Sequence, residues 1–108
     1  MTFDEYQEIA GETAIYPQRL RIVYPLIGLA GETGEVAEKV KKTIRDNDGI
    51  FNEDEKREIA KELGDVLWYL AAIARDMGYR LDDIAQINLA KIASRNERNK
   101  IHGHGDNR

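Results

Sequence analysis

Apolar side chains recur at intervals of three and four residues along most of the chain, which is the spacing of amphipathic helices. Apolar and polar residues do not alternate with period two over a useful length, so no strand is predicted. The pattern predicts four helices: one from the Thr2-x-x-Glu5 capping box to near Ile15, before Pro17; one from Pro25 to about Arg45; one from the Asn52 cap to Met77, with Gly78 as its stop; and one over 81–96. We predict an all-α, four-helix bundle-like domain over residues 1–96 and a polar tail over 97–108.

The third predicted helix contains an apolar stretch that one neighbouring helix cannot cover. Residues 66–74 are apolar on every side, and a helix of that kind needs partners all round. The rest of a 108-residue chain can barely supply them, so we expect an oligomer. Gly28, Gly31 and Gly34 interrupt the second helix at a cost of about 0.5–1 kcal/mol each relative to alanine. Close approach of another helix or of a ligand would offset that cost.

Two carboxylate pairs, Glu32-x-x-Glu35 and Glu62-x-x-Asp65, intrude on stripes that are otherwise apolar. The i, i+3 spacing puts each pair on one face of its helix. Carboxylates are rarely buried unless they are paired or bind a metal, and two acidic pairs that face one interior repel each other unless a cation joins them. Oxygen ligands favour Mg²⁺, with Mn²⁺ as a possible substitute, so we predict a divalent-cation site between the two helices. The spacing alone leaves a solvated charged face open as the alternative.

Composition narrows the classes of function. The chain has a formal charge of −4, which argues against a general nucleic-acid binder because such a protein needs a basic face. It has no cysteine, so disulfides, thiolate nucleophiles and zinc–cysteine sites are excluded. The N-terminal residues lack the basic-then-apolar order of a signal peptide, and no apolar run approaches the roughly 20 residues that span a membrane. We expect a cytoplasmic protein without a membrane partner.

The fourth predicted helix carries a basic strip formed by Lys91, Arg95 and Arg98, which are spaced to share one face. The strip either faces solvent or contacts phosphates, and Asn88 lies on the same face. Tyr69 follows the second acidic pair by one helical turn and could stack on a nucleotide base.

Two segments resemble the signature helices of the MazG-like nucleoside triphosphate pyrophosphohydrolases. Residues 28–38 read GLAGETGEVAE and residues 62–70 read ELGDVLWYL, which match that family's E-x-x-E motif, variable gap and E-x-x-D motif. The resemblance is to the short, single-domain members. It implies an all-α fold that forms dimers or dimers of dimers. It also implies Mg²⁺-dependent hydrolysis of nucleoside or deoxynucleoside triphosphates to the monophosphate and pyrophosphate.

The resemblance implies roles for individual residues as well. The residues that match the family's functional positions are Glu32, Glu35, Glu62 and Asp65 as metal ligands, Asn88 and Lys91 as nucleotide contacts, and Tyr69 as the base-stacking aromatic of some relatives. Lys39 and Arg95 are further candidates for binding the phosphates and stabilising developing negative charge. Glu35 or Glu38 is the candidate for orienting the attacking water, and the sequence leaves that choice open.

Two other functions are compatible with these residues. A related phosphoanhydride hydrolase, such as a phosphoribosyl-ATP pyrophosphohydrolase, shares the acidic helix pattern. A non-catalytic helical oligomerisation module would use the acidic pairs only to bind a structural cation or to form salt bridges with Lys39 and Lys42. The sequence does not predict the preferred base or sugar, because that preference depends on side chains from several helices.

Overall fold

The computed structural model describes residues 1–99 and 103–106 of the chain. These residues form four α-helices and a short 3₁₀ helix, with no strand: α1 (Phe3–Gly11), the 3₁₀ helix (Gln18–Leu20), α2 (Val23–Asn47), α3 (Glu53–Asp76) and α4 (Leu81–Glu97). The all-α prediction is confirmed, and the last three helices begin and end within two residues of their predicted bounds. Of the predicted tail, residues 100–102 and 107–108 lie outside the described part.

The packing of α2 against α3 is the main helix–helix contact of the fold. The two helices are antiparallel, because their contacts run in opposite directions along the chain. Gly28 of α2 lies under the ring of Tyr69 at one end of the pair, and the Asn47 side-chain amide donates a hydrogen bond of 2.9 Å to Glu55 at the other. A tight turn between the helices makes this reversal possible, with Gly49 at a φ of 73° in the left-handed region that glycine tolerates best.

A buried glutamine ties α1 to the junction of α3 and α4. The Gln7 side-chain amide donates hydrogen bonds to the carbonyl oxygens of Ala71 at 3.2 Å and Tyr79 at 3.0 Å. Its own oxygen accepts a 2.9 Å bond from the backbone N–H of Leu81. Both functions of the buried amide are satisfied, which is the condition for burying it without a large penalty. Small side chains line this junction, with Ala71 and Ala74 each 2% exposed.

The first helix is shorter than the sequence predicts. It ends at Gly11 rather than near Ile15, and the chain continues through the unpredicted 3₁₀ helix to the start of α2. Asp76 holds this connection: its Oδ2 accepts hydrogen bonds from the hydroxyl of Tyr16 at 2.7 Å and from the N–H of Ile22 at 2.9 Å. Ile22 has a φ of 67°, which is strained for a β-branched residue. At the early end of α1, Arg75 Nη1 donates a 2.6 Å hydrogen bond to the carbonyl oxygen of Gly11. This contact and the Asp76 clamp both come from α3, so no local helical signal reveals them.

Several apolar side chains remain exposed in the single chain. On α3, Leu63 and Leu70 are 52% and 36% exposed, although both belong to the apolar stripe of that helix. On α4, Ile87 and Leu89 are 54% and 67% exposed, because this helix makes only limited contacts with α1 and α3. Among the described helices, none is both long enough and apolar enough to cross a membrane.

Replacing Gly28 with alanine tests the close contact between α2 and α3. The new methyl group would overlap the ring of Tyr69, so we expect the free energy of unfolding to fall by about 1–3 kcal/mol, as in other overpacked interiors. Gly31→Ala is the matched control, because outside its chain neighbours and the backbone of its own helix no described atom lies within 4 Å of a Cβ built there. Alanine at this helical position should raise the free energy of unfolding by about 0.5–1 kcal/mol. Urea titrations followed by circular dichroism measure both values, and equal effects of the two substitutions would contradict the contact.

The clamp on the α1–α2 connection predicts a dependence of stability on alkaline pH. Burial, together with the hydrogen bond to Asp76, raises the pKa of Tyr16 from 10.0 to about 12. The folded chain therefore holds this proton more tightly than the unfolded chain does. The resulting stabilisation is complete below pH 10 and is lost as the pH rises towards 12. We expect the difference in melting temperature between the wild-type chain and Tyr16→Phe to shrink over that range, whereas a constant difference would rule the clamp out.

Candidate functional site

The antiparallel pairing of α2 and α3 brings three carboxylates together. Glu32 on α2 meets Glu62 and Asp65 on α3, and one oxygen from each lies within 4.8 Å of the other two. We call these three residues the acidic cluster. Glu32 and Glu62 are half-buried, whereas Asp65 is exposed. The i, i+3 spacing of the α3 pair puts both side chains on the face that Glu32 reaches.

The acidic cluster concentrates negative charge at a partly desolvated position. Burial raises the pKa of Glu32, the charge of Asp65 raises it further, and a hydrogen bond and charge from Glu62 add to the shift. A bound cation would relieve this repulsion. Carboxylate oxygens are the donors that Mg²⁺ prefers, and a partial set of protein ligands suits an ion that retains water or binds phosphate oxygens. The residues of the cluster therefore fit a hard divalent cation.

Glu35, the fourth predicted metal ligand, is not part of the acidic cluster. Its side chain is exposed, and its charge contributes to the raised pKa of Glu32. Glu38, one turn further along α2, is engaged by Lys41, whose Nζ lies 3.1 Å from Glu38 Oε2. This hydrogen bond and the positive charge of Lys41 lower the pKa of Glu38. The two candidates for orienting water thus differ in their ion pairing: Glu38 is paired with Lys41, whereas Glu35 forms no ion pair with the described residues.

Lys39 lies against the acidic cluster. Its Nζ is 3.1 Å from Glu62 Oε1 and 3.4 Å from Glu58 Oε2, so that it bridges two carboxylates of α3. The hydrogen bond to Glu62 is the largest cause of the raised pKa of Lys39. The predicted phosphate-binding lysine is thus close to the predicted metal ligands, with its ammonium group engaged by one of them.

Two adjoining clefts open beside the cluster and share three residues, Thr13, Trp68 and Tyr69. The first, which we call the acidic cleft, has a volume of about 410 Å³ and is completed by Glu32 and Asp65. The second, which we call the aromatic cleft, has a volume of about 270 Å³, and its other lining residues are Ile15, Tyr16, Pro17 and Tyr24. A ligand with one charged end and one flat apolar end can occupy both.

Ring packing and one hydrogen bond fix the wall between the two clefts. The rings of Trp68 and Tyr69 meet edge to face, with centroids 5.0 Å apart. The Trp68 indole N–H donates a 3.0 Å hydrogen bond to the hydroxyl of Thr13. Across the aromatic cleft, Tyr16 and Tyr24 stack with centroids 5.0 Å apart. Sequence reasoning missed Thr13 and Tyr24, because their proximity to α3 depends on the path of the α1–α2 connection.

The α4 candidates form a separate group. Lys91 Nζ lies 3.1 Å from Asp106 Oδ1, and Arg95 Nη2 donates to the carbonyl oxygen of Asp106 at 2.8 Å. The side chain of Arg95 is only 9% exposed, whereas Asn88 is exposed. These contacts lower the pKa of Asp106, Lys91 being the larger cause. In the described part of the chain, none of the α4 candidates forms a hydrogen bond or an ion pair with the acidic cluster.

The sequence is similar to a described protein family and to a phage protein. The family "MazG nucleotide pyrophosphohydrolase domain" matches residues 26–99. The gene 37 protein of Mycobacterium phage L5 is 43% identical to this chain over 114 aligned residues, which cover 100% of both proteins. No solved structure matches the chain. The family match includes the acidic cluster and Tyr69, while Thr13 lies outside it.

Substitution of Glu32 by glutamine tests whether the acidic cluster is a cation site. In the absence of metal we expect a higher melting temperature, because one of three mutually repelling charges is removed and the side chain keeps its size. Added Mg²⁺ should raise the melting temperature of the wild-type chain more than that of the variant, since a ligand stabilises the state that binds it. Glu8→Gln, which alters an exposed carboxylate of α1, is the control. An equal rise with Mg²⁺ in all three proteins would refute the site.

Proposed function

Because the chain belongs to the MazG nucleotide pyrophosphohydrolase family, we propose that it hydrolyses nucleoside or deoxynucleoside triphosphates at the α–β linkage. The products are the nucleoside monophosphate and pyrophosphate. The observation that carries this proposal is the acidic cluster beside the aromatic cleft. Tyr69 lines both the acidic and the aromatic cleft, so a cation-binding surface adjoins a surface on which a flat ring can stack. A nucleotide matches this arrangement, because it has negatively charged phosphates at one end and a flat base at the other.

We assign the acidic cluster, with Glu35 as a further ligand from α2, to binding Mg²⁺, for which Mn²⁺ is a possible substitute. When bound there, the cation supplies positive charge against the oxygens of the triphosphate. The chain's own contribution is the convergence of carboxylates across the α2–α3 contact, with oxygens already within 4.8 Å of one another. This preorganisation is supported by the contact of Gly28 with Tyr69, which keeps the two helices close one turn away from Glu32.

The aromatic cleft is the proposed binding site for the base. Its rings come from three parts of the chain, namely Tyr16 in the α1–α2 connection, Tyr24 in α2, and the pair Trp68 and Tyr69 in α3. Stacking on such rings favours any flat base, because every base has a π-face. The Thr13 hydroxyl lies at the junction of the two clefts, where it donates to the carbonyl oxygen of Ala10 and accepts from Trp68. Its remaining lone pair can accept a hydrogen bond from the sugar or the base edge.

Contacts to the phosphates are assigned to α4 and to Lys39. Lys91 and Arg95 already bind the carboxylate of Asp106, whose negatively charged oxygen accepts hydrogen bonds as a phosphate oxygen does. A nucleotide phosphate would replace that carboxylate, and Asn88, exposed on the same helix, would add a neutral hydrogen bond. These side chains stabilise negative charge on the leaving pyrophosphate.

Glu35 is the residue that we assign to orienting the attacking water. Its carboxylate is exposed on α2, three residues after Glu32, and forms no ion pair with the described residues. It can therefore accept a hydrogen bond from water and direct the oxygen lone pair at phosphorus. Glu38 is the alternative, but it would first have to release Lys41.

We further propose that the active protein is a homodimer or a homotetramer. Apolar side chains that the single chain leaves uncovered occur on three helices: Leu26 and Ile27 on α2, Leu63 and Leu70 on α3, and Ile87, Leu89 and Ile92 on α4. Large exposed apolar areas mark interaction surfaces in soluble proteins. A second copy of the chain would cover them.

The proposed reaction is tested by incubating the purified chain with each common ribo- and deoxyribonucleoside triphosphate, with and without Mg²⁺. We expect metal-dependent release of pyrophosphate together with the monophosphate. Glu35→Gln should lower kcat by about 10²–10⁴-fold, the usual contribution of a positioned acid or base, with an unchanged circular dichroism spectrum. Glu8→Gln is again the matched control and should retain full activity. Orthophosphate as the sole product, or full activity of Glu35→Gln, would contradict the proposal.

A further inference from the structure

A single ammonium group neutralises part of the acidic cluster. Lys39 Nζ lies 3.1 Å from Glu62 Oε1, and among the described residues no other cation forms an ion pair with the cluster. The lysine side chain is 31% exposed and that of Glu62 is 19% exposed, so the pair is partly shielded from water. An ion pair in this environment is screened less than one on the open surface.

Residues of both helices surround Lys39 in the metal-free chain. On α3, Glu58 and Glu62 are separated by one turn, and Lys39 Nζ bridges them at 3.4 Å and 3.1 Å. On α2, the side chain of Lys39 lines a cleft that is also lined by Thr43 and Ile59. The ammonium group thus lies at the edge of the cluster, between the carboxylates of Glu58 and Glu62.

A divalent cation and this ammonium group have the same partner. The oxygens of the acidic cluster lie within 4.8 Å of one another, so a cation bound among them would sit close to the lysine charge. Two positive charges at that separation repel each other, and the flexible lysine side chain is the part that can move. After such a movement Glu58 remains available to Lys39, whereas Glu62 is released to the cation.

We propose that Lys39 is the resident counter-ion of the acidic cluster and competes with a divalent cation for Glu62, so that it sets the affinity of the cluster for that cation. This inference rests on the metal site of the proposed function. In the metal-free chain Lys39 lowers the repulsion among the three carboxylates, and in the cation-bound chain it is displaced from Glu62. An ammonium group released in this way is free to contact the phosphates of the substrate.

The test compares Lys39→Met with Lys42→Met, using Mn²⁺ as the probe. Lys42 is on the same helix and lines the same cleft as Lys39, but it is exposed and forms no described ion pair, so its substitution removes an equal charge without touching Glu62. Free Mn²⁺ is measured by electron paramagnetic resonance, and melting temperatures are measured without metal. We expect Lys39→Met to bind Mn²⁺ about two- to tenfold more tightly than the control, in line with the loss of one partly shielded ion pair. Its metal-free melting temperature should be lower than that of the control.

Unchanged or weaker Mn²⁺ binding by Lys39→Met, relative to Lys42→Met, would overturn the proposal, because it would mean that Lys39 positions Glu62 rather than competing for it. If Lys39→Met fails to fold by circular dichroism, Lys39→Gln provides the same comparison with a polar side chain. Mn²⁺ binding is independent of turnover. A wild-type chain that releases no pyrophosphate, combined with tighter binding by Lys39→Met, would therefore refute the proposed reaction and support the counter-ion. Absence of Mn²⁺ binding in all variants would refute the counter-ion.

Discussion

The antiparallel contact between α2 and α3 is the constraint on which the rest of the structure depends. Its register is visible at three levels, where Gly28 meets Tyr69, Glu32 meets Asp65, and Lys39 meets Glu62. Each level has a different physical character: a close van der Waals contact, a repulsion between carboxylates, and an ion pair. Because one helix pairing fixes all three, a shift by one residue would lose the ring contact and disperse the acidic cluster together.

The acidic cluster is formed at the expense of local stability. Three carboxylates that meet at a partly desolvated position raise the pKa of Glu32, which is the sign of an environment that disfavours its charged form. Functional sites commonly carry such unfavourable charge arrangements, and the surrounding fold compensates for them. Here the compensation comes from Lys39 within the pair of helices, and from the buried amide of Gln7, which holds α1, α3 and the start of α4 together.

The two clefts differ in how much of the chain they require. The acidic cleft is formed mainly by α2 and α3, whereas the aromatic cleft also needs the α1–α2 connection, which Asp76 clamps through Tyr16 and Ile22. The wall that the connection contributes lies outside residues 26–99 of the family match, whereas the acidic cluster lies within them. The basic group on α4 is separate again, engaged by Asp106 of the tail.

By itself the sequence determined the four helices and the residue types of the site, because helix periodicity and capping are local properties of the chain. The Thr2 cap, the Asn52 cap and the i, i+3 acidic pairs were all readable in this way. Only the tertiary structure decided which members of those pairs converge. Residues three apart differ by about 60° around a helix axis, so the rotation of α2 against α3 brings Glu32 into the cluster and leaves Glu35 exposed. The hydrogen bond from Trp68 to Thr13 likewise depends on the path of the α1–α2 connection. No local sequence pattern encodes that path.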